Sequence, residues 1–222
     1  MLKNADYIIA HNSKMKEALI NIGIKESRVL SLEIFDYLME YIQTPKRSID
    51  SPIIIAGNLN EKKAGYVYDL PSDCKFNLYG VGYEDRKKEN VAYMGTFPSD
   101  DLPQHLDGSF GLVWDGPSAD TCEGASGSYL KVNNPHKTSL YLASGFPVII
   151  WENAALAEFI KDNKCGFTVS SLGEIKNILN SISAEEYAQM LKNVDVIRRR
   201  LNTGYYMAKV IKQIEKMAQS AL

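Results

Sequence analysis

The sequence predicts a doubly wound α/β domain, in which helices cover both faces of a parallel sheet. Short apolar runs recur along the chain without alternating with polar residues, and helical patterns separate several of them. Strands that are buried on both faces have this composition, and helical crossovers join them in parallel sheets. The chain has 222 residues, of which 45% are hydrophobic, so it can build the core that such a domain needs.

The first predicted elements precede this regular region. Residues 6–10 predict a short buried strand, and Ser13 can cap a following helix that Gly23 ends. Residues 28–35 form another apolar, strand-like stretch. The polar segment 43–51, which contains a proline and two adjacent basic residues, is typical of a linker.

Beyond the linker, apolar strands alternate with helical patterns. The predicted strands are 53–56, 75–79, 91–94, 110–114, 147–151 and 165–169. The predicted helices are 99–106, 135–144, 154–161, 172–179, 184–201 and 204–218. This order of elements is the basis of the predicted fold.

Glycines and short polar residues follow four of these strands. The pairs at the strand ends are Gly57-Asn58, Tyr79-Gly80, Gly95-Thr96 and Asp115-Gly116. Ligands of such sheets bind beyond the carboxyl ends of the strands. Glycine allows the backbone to approach a ligand closely, and asparagine or aspartate supplies a directed polar group. Turn formation explains any one of these pairs, but their occurrence at four strand ends favours a ligand site.

The segment 134–138 indicates the chemistry of that ligand. Asn134 suits the N-cap of the next helix, and Pro135 suits its first position because no backbone N–H is needed there. His136, Lys137 and Thr138 then form the first turn. A lysine is disfavoured at the positive end of a helix, and a bound phosphate would remove the conflict. A lysine that simply points into solvent fits the sequence equally well.

The segment 118–128 is rich in glycine, serine and alanine and has no clear period, so it predicts a mobile loop. Such a loop could close over a substrate, or it could be an ordinary connection. Asp115 and Asp120 are not a convincing catalytic pair, because nothing in the sequence fixes their geometry.

Composition and charge argue against several other classes of protein. A net charge of −2 gives no electrostatic reason to expect a nucleic-acid partner, and the basic run 198–200 predicts a solvated helix face. Cys74, Cys122 and Cys165 are too widely spaced for a zinc site, and their odd number argues against a disulfide framework. No apolar run approaches the ~20 residues that span a bilayer, and no signal-peptide pattern is present. We therefore expect a cytoplasmic protein, with peripheral membrane contact left open.

Six segments carry a resemblance to a known family over about residues 5–169. They are Leu32–Tyr37, Ile55–Asn58, Leu78–Gly80, Gly111–Gly116, Asn133–Tyr141 and Gly145–Val148. With these segments the sequence resembles bacterial GT-B glycosyltransferases of the β-1,6-galactofuranosyltransferase type. It also resembles the related glucosyltransferases that extend O-linked glycans on serine-rich-repeat adhesins.

The resemblance implies two Rossmann-like domains that face a cleft, with the donor nucleotide on the C-terminal one. Lys137 and the N–H groups of its helix would bind the diphosphate, Lys137 in a catalytic role, while Asn58, Tyr79 and Asp115 would line the nucleoside. The resemblance, the strand ends and the start of the helix together predict one set of nucleotide-binding residues. They are Gly57, Asn58, Tyr79, Gly80, Asp115, Asn134, His136, Lys137 and Thr138. The implied donor is UDP-glucose or UDP-galactofuranose, the acceptor is a glycan or glycoprotein, and no metal or other cofactor is expected.

The resemblance also implies a division of the chain. Residues 1–42 would end an N-terminal Rossmann-like domain that is largely absent, 43–51 would be the linker, 52–182 the nucleotide-sugar-binding domain and 183–222 the terminal helices. An apolar surface left exposed in this way would favour a homo-oligomer. One alternative is a non-catalytic module that binds UDP or a UDP-sugar to regulate a partner. A receiver domain is disfavoured, because no clustered carboxylates follow the first strand.

Overall fold

The computed structural model describes residues 2–40 and 47–220. Its strands are β1 (Ile8–Ala10), β2 (Val29–Ser31), β3 (Ile53–Ala56), β4 (Phe76–Tyr79), β5 (Val91–Gly95), β6 (Gly111–Val113), β7 (Val148–Trp151) and β8 (Gly166–Val169). Its α-helices are α1 (Ser13–Asn21), α2 (Glu61–Ala64), α3 (Leu102–His105), α4 (Gly124–Tyr129), α5 (His136–Ala143), α6 (Ala157–Asp162), α7 (Ile175–Ser181), α8 (Ala184–Asn202) and α9 (Tyr205–Gln219). Short 3-10 helices cover Leu2–Asn4, Glu26–Arg28, Gly65–Tyr68 and Leu172–Glu174. The first part of the predicted linker, residues 43–46, lies outside the described residues.

Six of the described strands form one parallel sheet in the order β5-β4-β3-β6-β7-β8. The chain winds outward from β3 in one direction and then outward from β6 in the other. The predicted doubly wound parallel sheet is therefore confirmed. Ligands of such sheets bind where the winding reverses, beyond the carboxyl ends of the strands. Here that point lies just after Ala56 and Val113.

Most strands of this sheet are buried, as their unbroken apolar composition predicts. β3, β4, β6 and β7 are buried along their whole length. β5 lies at the edge, and its residues are half-buried or exposed, including Tyr93 and Met94. Contrary to the prediction, helices do not cover both faces of the sheet at β5, because the helix that follows this strand, α3, has only four residues.

Several helix boundaries differ from the prediction. The helix predicted at 154–161 begins at Ala157, and the one predicted at 172–179 opens with a 3-10 turn. The cap of α1 is Asn12 and not Ser13, because the Asn12 side chain accepts the Met15 N–H at 2.9 Å. Gly23 does follow this helix, with a φ of 92°.

The basic run near the end of α8 is not the solvated face that its composition predicts. Arg198 is only 2% exposed, because it shares the inward stripe of the helix with Val194 and Leu201. Arg199 does lie on the exposed face, where it pairs with Asp195 at 2.7 Å. Within the described ranges, none of the helices is both long and apolar enough to cross a membrane.

Residues 2–36 form an N-terminal unit, in which β1 and β2 pair in parallel and α1 packs on them. The last helix ties this unit to the rest of the molecule. The Asp36 carboxylate accepts the N–H groups of Tyr206 and Met207 at 3.1 and 2.7 Å, and so caps α9. Gly204, the residue before α9, supplies no side-chain cap of its own.

Candidate functional site

A cleft of about 400 Å³ opens beyond the carboxyl ends of β3 and β6, at the point where the winding of the sheet reverses. One wall continues from β3 through α2, and the opposite wall consists of α4 and the start of α5. The residues lining the cleft are Ile55, Ala56, Gly57, Asn58, Leu59, Lys63, Ala64, Tyr66, Asp115, Ser126, Tyr129, Asn133, Pro135, His136 and Lys137. The structure thus brings together five of the predicted site residues: Gly57, Asn58, Asp115, His136 and Lys137.

Helix α5 points its N-terminus into this cleft without a side-chain cap. The helix begins at His136, and Pro135 occupies the N-cap position. The prediction that Asn134 caps the helix is wrong, because its side chain turns toward the N-terminal unit and donates to the carbonyls of His11 and Glu33. The Thr138 N–H donates to the Pro135 carbonyl at 3.0 Å, whereas the N–H groups of His136 and Lys137 have no partner among the described residues. These two groups carry the partial positive charge of the helix N-terminus with no side-chain oxygen placed against them.

Lys137 does not project freely into solvent. Its Nζ lies 2.8 Å from Asp115 Oδ1 and 2.6 Å from the carbonyl oxygen of Trp114, and the two charged side chains are only 16% and 10% exposed. The aspartate therefore resolves in part the conflict between a lysine and a helix N-terminus. An ammonium group has three N–H donors, and these contacts use two of them. One donor of Lys137 is left for a ligand.

The wall formed by α2 supplies a second cation, which was not predicted from the sequence. Lys63 lies on α2, is exposed, and within the described ranges its ammonium has no hydrogen-bond or ion-pair partner. It belongs to a short charged run that has no motif to mark it. Asn58 lies nearby, and its side-chain oxygen accepts the N–H of Asn60 at 3.0 Å, which fixes the loop after β3.

Four predicted site residues do not line the cleft: Asn134, described above, and Tyr79, Gly80 and Thr138. Tyr79 is completely buried; its hydroxyl accepts the Asp107 N–H at 3.0 Å, and burial raises its pKa. Gly80 packs against the loop after β3, where a Cβ would lie 1.8 Å from the carbonyl oxygen of Gly57. Thr138 is also fully buried. Gly80 thus supports the cleft from behind, and Tyr79 and Thr138 belong to the core.

A stack of rings joins the N-terminal unit to His136 at the start of α5. The Phe35 ring lies parallel to that of His136, with 4.7 Å between centroids and 3° between planes. His11 packs edge-on against the same ring at 4.7 Å, and its Nδ1 lies 3.0 Å from Asn133 Oδ1. His136 is thereby held against the N-terminal unit, although its position in the first turn of α5 leaves it exposed.

The segment predicted as a mobile loop, 118–128, is partly helical. Its second half enters α4, and its first half is fixed by a hydrogen bond from Trp114 Nε1 to the Ser118 carbonyl at 2.9 Å. Packing accounts for one glycine of the segment, Gly127, because a Cβ there would lie 2.5 Å from the backbone of Cys122. Close packing, and not flexibility, accounts for this glycine. Ser126 and Tyr129 from α4 line the cleft and were not predicted.

Residues 53–214 match the family described as glucosyltransferase 3-like, C-terminal domain. The chain belongs to this family. It is 40% identical over 217 residues to the β-1,6-galactofuranosyltransferase WbbI of Escherichia coli, with 96% of this chain and 64% of WbbI covered. It is 27% identical over 215 residues to glucosyltransferase 3 of Streptococcus gordonii, with 95% of this chain and 62% of that protein covered. The chain therefore spans less than two thirds of the length of these relatives.

Two solved structures show the same fold. HepE of Anabaena, solved in complex with UDP, superposes with a TM-score of 0.60 at 14% identity, and the match covers 97% of this chain and 64% of HepE. The lipopolysaccharide galactosyltransferase WaaB gives a TM-score of 0.61 at 17% identity over 96% of this chain and 62% of WaaB. The predicted fold, the parallel-sheet domain of a GT-B glycosyltransferase, is confirmed.

Proposed function

We propose that this chain binds the diphosphate of a UDP-sugar between α5 and α2, as the donor-binding part of a hexosyltransferase. The observation that carries the proposal is the uncapped N-terminus of α5, which opens into the cleft beside Lys137 and opposite Lys63. Backbone N–H groups at a helix N-terminus bind phosphate oxygens, and the helix dipole favours their negative charge. Gly57, which has open space around it, allows a ligand to approach the backbone of the facing wall.

The chemistry proposed for this site is stabilisation of the leaving group. When the sugar departs, negative charge grows on the diphosphate, and donors already held in place stabilise that charge. The third N–H of Lys137, the first-turn N–H groups of α5 and the ammonium of Lys63 are suitable donors. Asn58 and Asp115 are proposed to contact the nucleoside end of the donor, where their oxygens can accept hydroxyl protons.

The substrates are proposed from the relatives. WbbI is named for galactofuranosyl transfer and the streptococcal protein for glucosyl transfer. We propose galactofuranose or glucose as the transferred sugar and a glycan or glycoprotein as the acceptor. A cytoplasmic location, self-association and peripheral membrane contact stay predictions. The alternative of a purely regulatory UDP-sugar-binding module requires that no hexosyl transfer be found, so assays with both donors separate the two.

Calorimetric titration with UDP tests the proposal. GDP is the control that differs in the base, and CMP is the control that differs in the base and also lacks the second phosphate. We expect selective binding of UDP, and we expect Lys137→Met to weaken it at least tenfold, because a charge-assisted contact to phosphate is lost. Lys63→Met removes the other cation without touching an ion pair and should also weaken binding. Lys192→Met is the matched control, because Lys192 is an exposed lysine on α8 that does not line the cleft.

The same titration examines the expectation that no metal is needed. Within the described ranges, no three His, Cys, Asp or Glu side chains come together as a metal site. We expect equal UDP affinity in excess chelator and in millimolar Mg²⁺. Unchanged UDP affinity in both lysine variants, or absence of UDP binding by the wild-type chain, would overturn the assignment of the cleft.

A further inference from the structure

Two buried asparagines connect the N-terminal unit to the residue just before α5. Asn12 is 3% exposed and Asn134 is 1% exposed. Asn12 Nδ2 donates to Asn134 Oδ1 at 2.7 Å, across a sequence separation of 122 residues, and to the carbonyl of Val132 at 3.1 Å. Asn134 Nδ2 in turn donates to the carbonyls of His11 and Glu33 at 2.6 and 3.1 Å.

Both amide groups of this pair have all their polar atoms engaged. The remaining atom, Asn12 Oδ1, accepts the Met15 N–H and caps α1. A fully hydrogen-bonded network at low exposure holds its members in one arrangement, since each lost contact would leave a buried polar group unsatisfied. The pair therefore fixes the backbone at Asn134, two residues ahead of the first residue of α5, relative to β1 and β2.

Further contacts hold the same end of α5 against the same unit. Ser139 Oγ donates to the carbonyl of Phe35 at 2.7 Å, and the Phe35 ring lies against His136. None of these contacts uses a first-turn N–H of α5. The N-terminus of the helix is thus held from the side, while the N–H groups of the cleft-lining residues His136 and Lys137 keep no partner among the described residues.

We propose that Asn12 and Asn134 are positioning residues for the donor diphosphate. They set where the uncapped N-terminus of α5 meets the phosphate, and through it they couple the N-terminal unit to donor binding. An asparagine used as a helix cap would compete with the ligand for the same N–H groups. An asparagine anchored elsewhere fixes the helix and leaves those groups to the ligand. This proposal rests on the binding of the diphosphate at α5.

Affinities for UDP and for uridine, measured side by side, test the proposal. Asn12→Ser retains a capping oxygen for α1 but is too short to reach Asn134, and Asn134→Ala removes the other partner. We expect each variant to bind UDP about tenfold more weakly, the loss expected from a shift of one buried hydrogen-bonded anchor. Uridine carries no diphosphate for α5 to bind, so each variant should bind it within about twofold of wild type. The double variant Asn12→Ser/Asn134→Ala should bind UDP no more weakly than either single variant, because each single substitution already removes the hydrogen bond between the two side chains.

A matched control separates positioning from stability. Asn77 is also a buried asparagine, and it donates to the Asp107 carbonyl at 2.9 Å away from the cleft. Asn77→Ala should lower the unfolding temperature while leaving the ratio of UDP to uridine affinity unchanged. A folded Asn12→Ser variant with the wild-type ratio would refute the positioning role and leave the proposed function intact. A wild-type chain with equal affinity for UDP and uridine would instead refute the diphosphate site, and the positioning proposal with it.

Discussion

Replacement of Lys137 by methionine should destabilise the free protein as well as weaken nucleotide binding. The methionine keeps the length of the side chain but leaves the Asp115 carboxylate without its cation and the Trp114 carbonyl without its donor. Removal of one partner from a buried ion pair costs about 3–5 kcal/mol. Because the two side chains retain 16% and 10% exposure, the lower end applies, and we expect about 3 kcal/mol. For a chain of this size that lowers the unfolding temperature by roughly 6–12 °C.

A second substitution separates loss of the pair from loss of packing. In Lys137→Met/Asp115→Asn the buried carboxylate is replaced by a neutral amide, so part of the cost should disappear. We expect the double variant to recover about 1–2 kcal/mol relative to Lys137→Met, measured by denaturant unfolding at pH 7.5 without ligand. Equal stabilities of the single and double variants would show that the unpaired charge is not what destabilises Lys137→Met.

Two further outcomes are expected from buried groups elsewhere in the domain. The Tyr141 hydroxyl accepts the Ala56 N–H at 2.7 Å, so Tyr141→Phe should cost about 1–2 kcal/mol in chemical unfolding; no loss would mean that another acceptor replaces the hydroxyl. Burial raises the thiol pKa values to about 12 for Cys122 and Cys165 and about 11 for Cys74, from an ordinary value of 9.0. Their protonated state contributes fully to the free energy of unfolding below pH 9, the pKa of an ordinary thiol. This contribution is lost as the pH rises toward and through the pKa values of the folded state, so the unfolding temperature should fall above pH 9. At pH 8 a thiol reagent should react with all three only after unfolding, and rapid modification of the native chain would contradict their burial.

The strands of the sheet were predictable because a strand that is buried on both faces consists of an unbroken apolar run. Ile53–Ala56 and Val148–Trp151 are apolar at every position, and the structure buries every one of these residues. The short helix α2 has no recognisable sequence pattern, since four residues cannot display a helical period. Lys63 was missed for the same reason, because it belongs to an element that the sequence pattern does not reveal.

The cleft itself was predictable only in part, because its decisive contacts are made between distant segments. Lys137 was singled out from its helix position. Its partner Asp115 lies in the loop after β6 and was considered only for catalysis or nucleoside contact. Tyr79 stands at a strand end like Asn58, yet its side chain points into the core. Position at the carboxyl edge predicts proximity to a ligand, whereas the direction of each side chain depends on packing that the local sequence does not contain.

Asn134 shows how one local signature can have two physical outcomes. An asparagine before a proline at the start of a helix suits a cap, and the start of α5 was indeed predicted from it. The same side chain can instead bind backbone carbonyls of another segment, and the outcome depends on whether such carbonyls lie within reach. Here Glu33 and His11 supply them, 101 and 123 residues away in the sequence. The N–H groups that a cap would have satisfied stay directed at the cleft, where Lys137 is already neutralised in part by Asp115. A diphosphate at this site would therefore depend on the backbone of α5 and on Lys63 as much as on the lysine that the sequence emphasises.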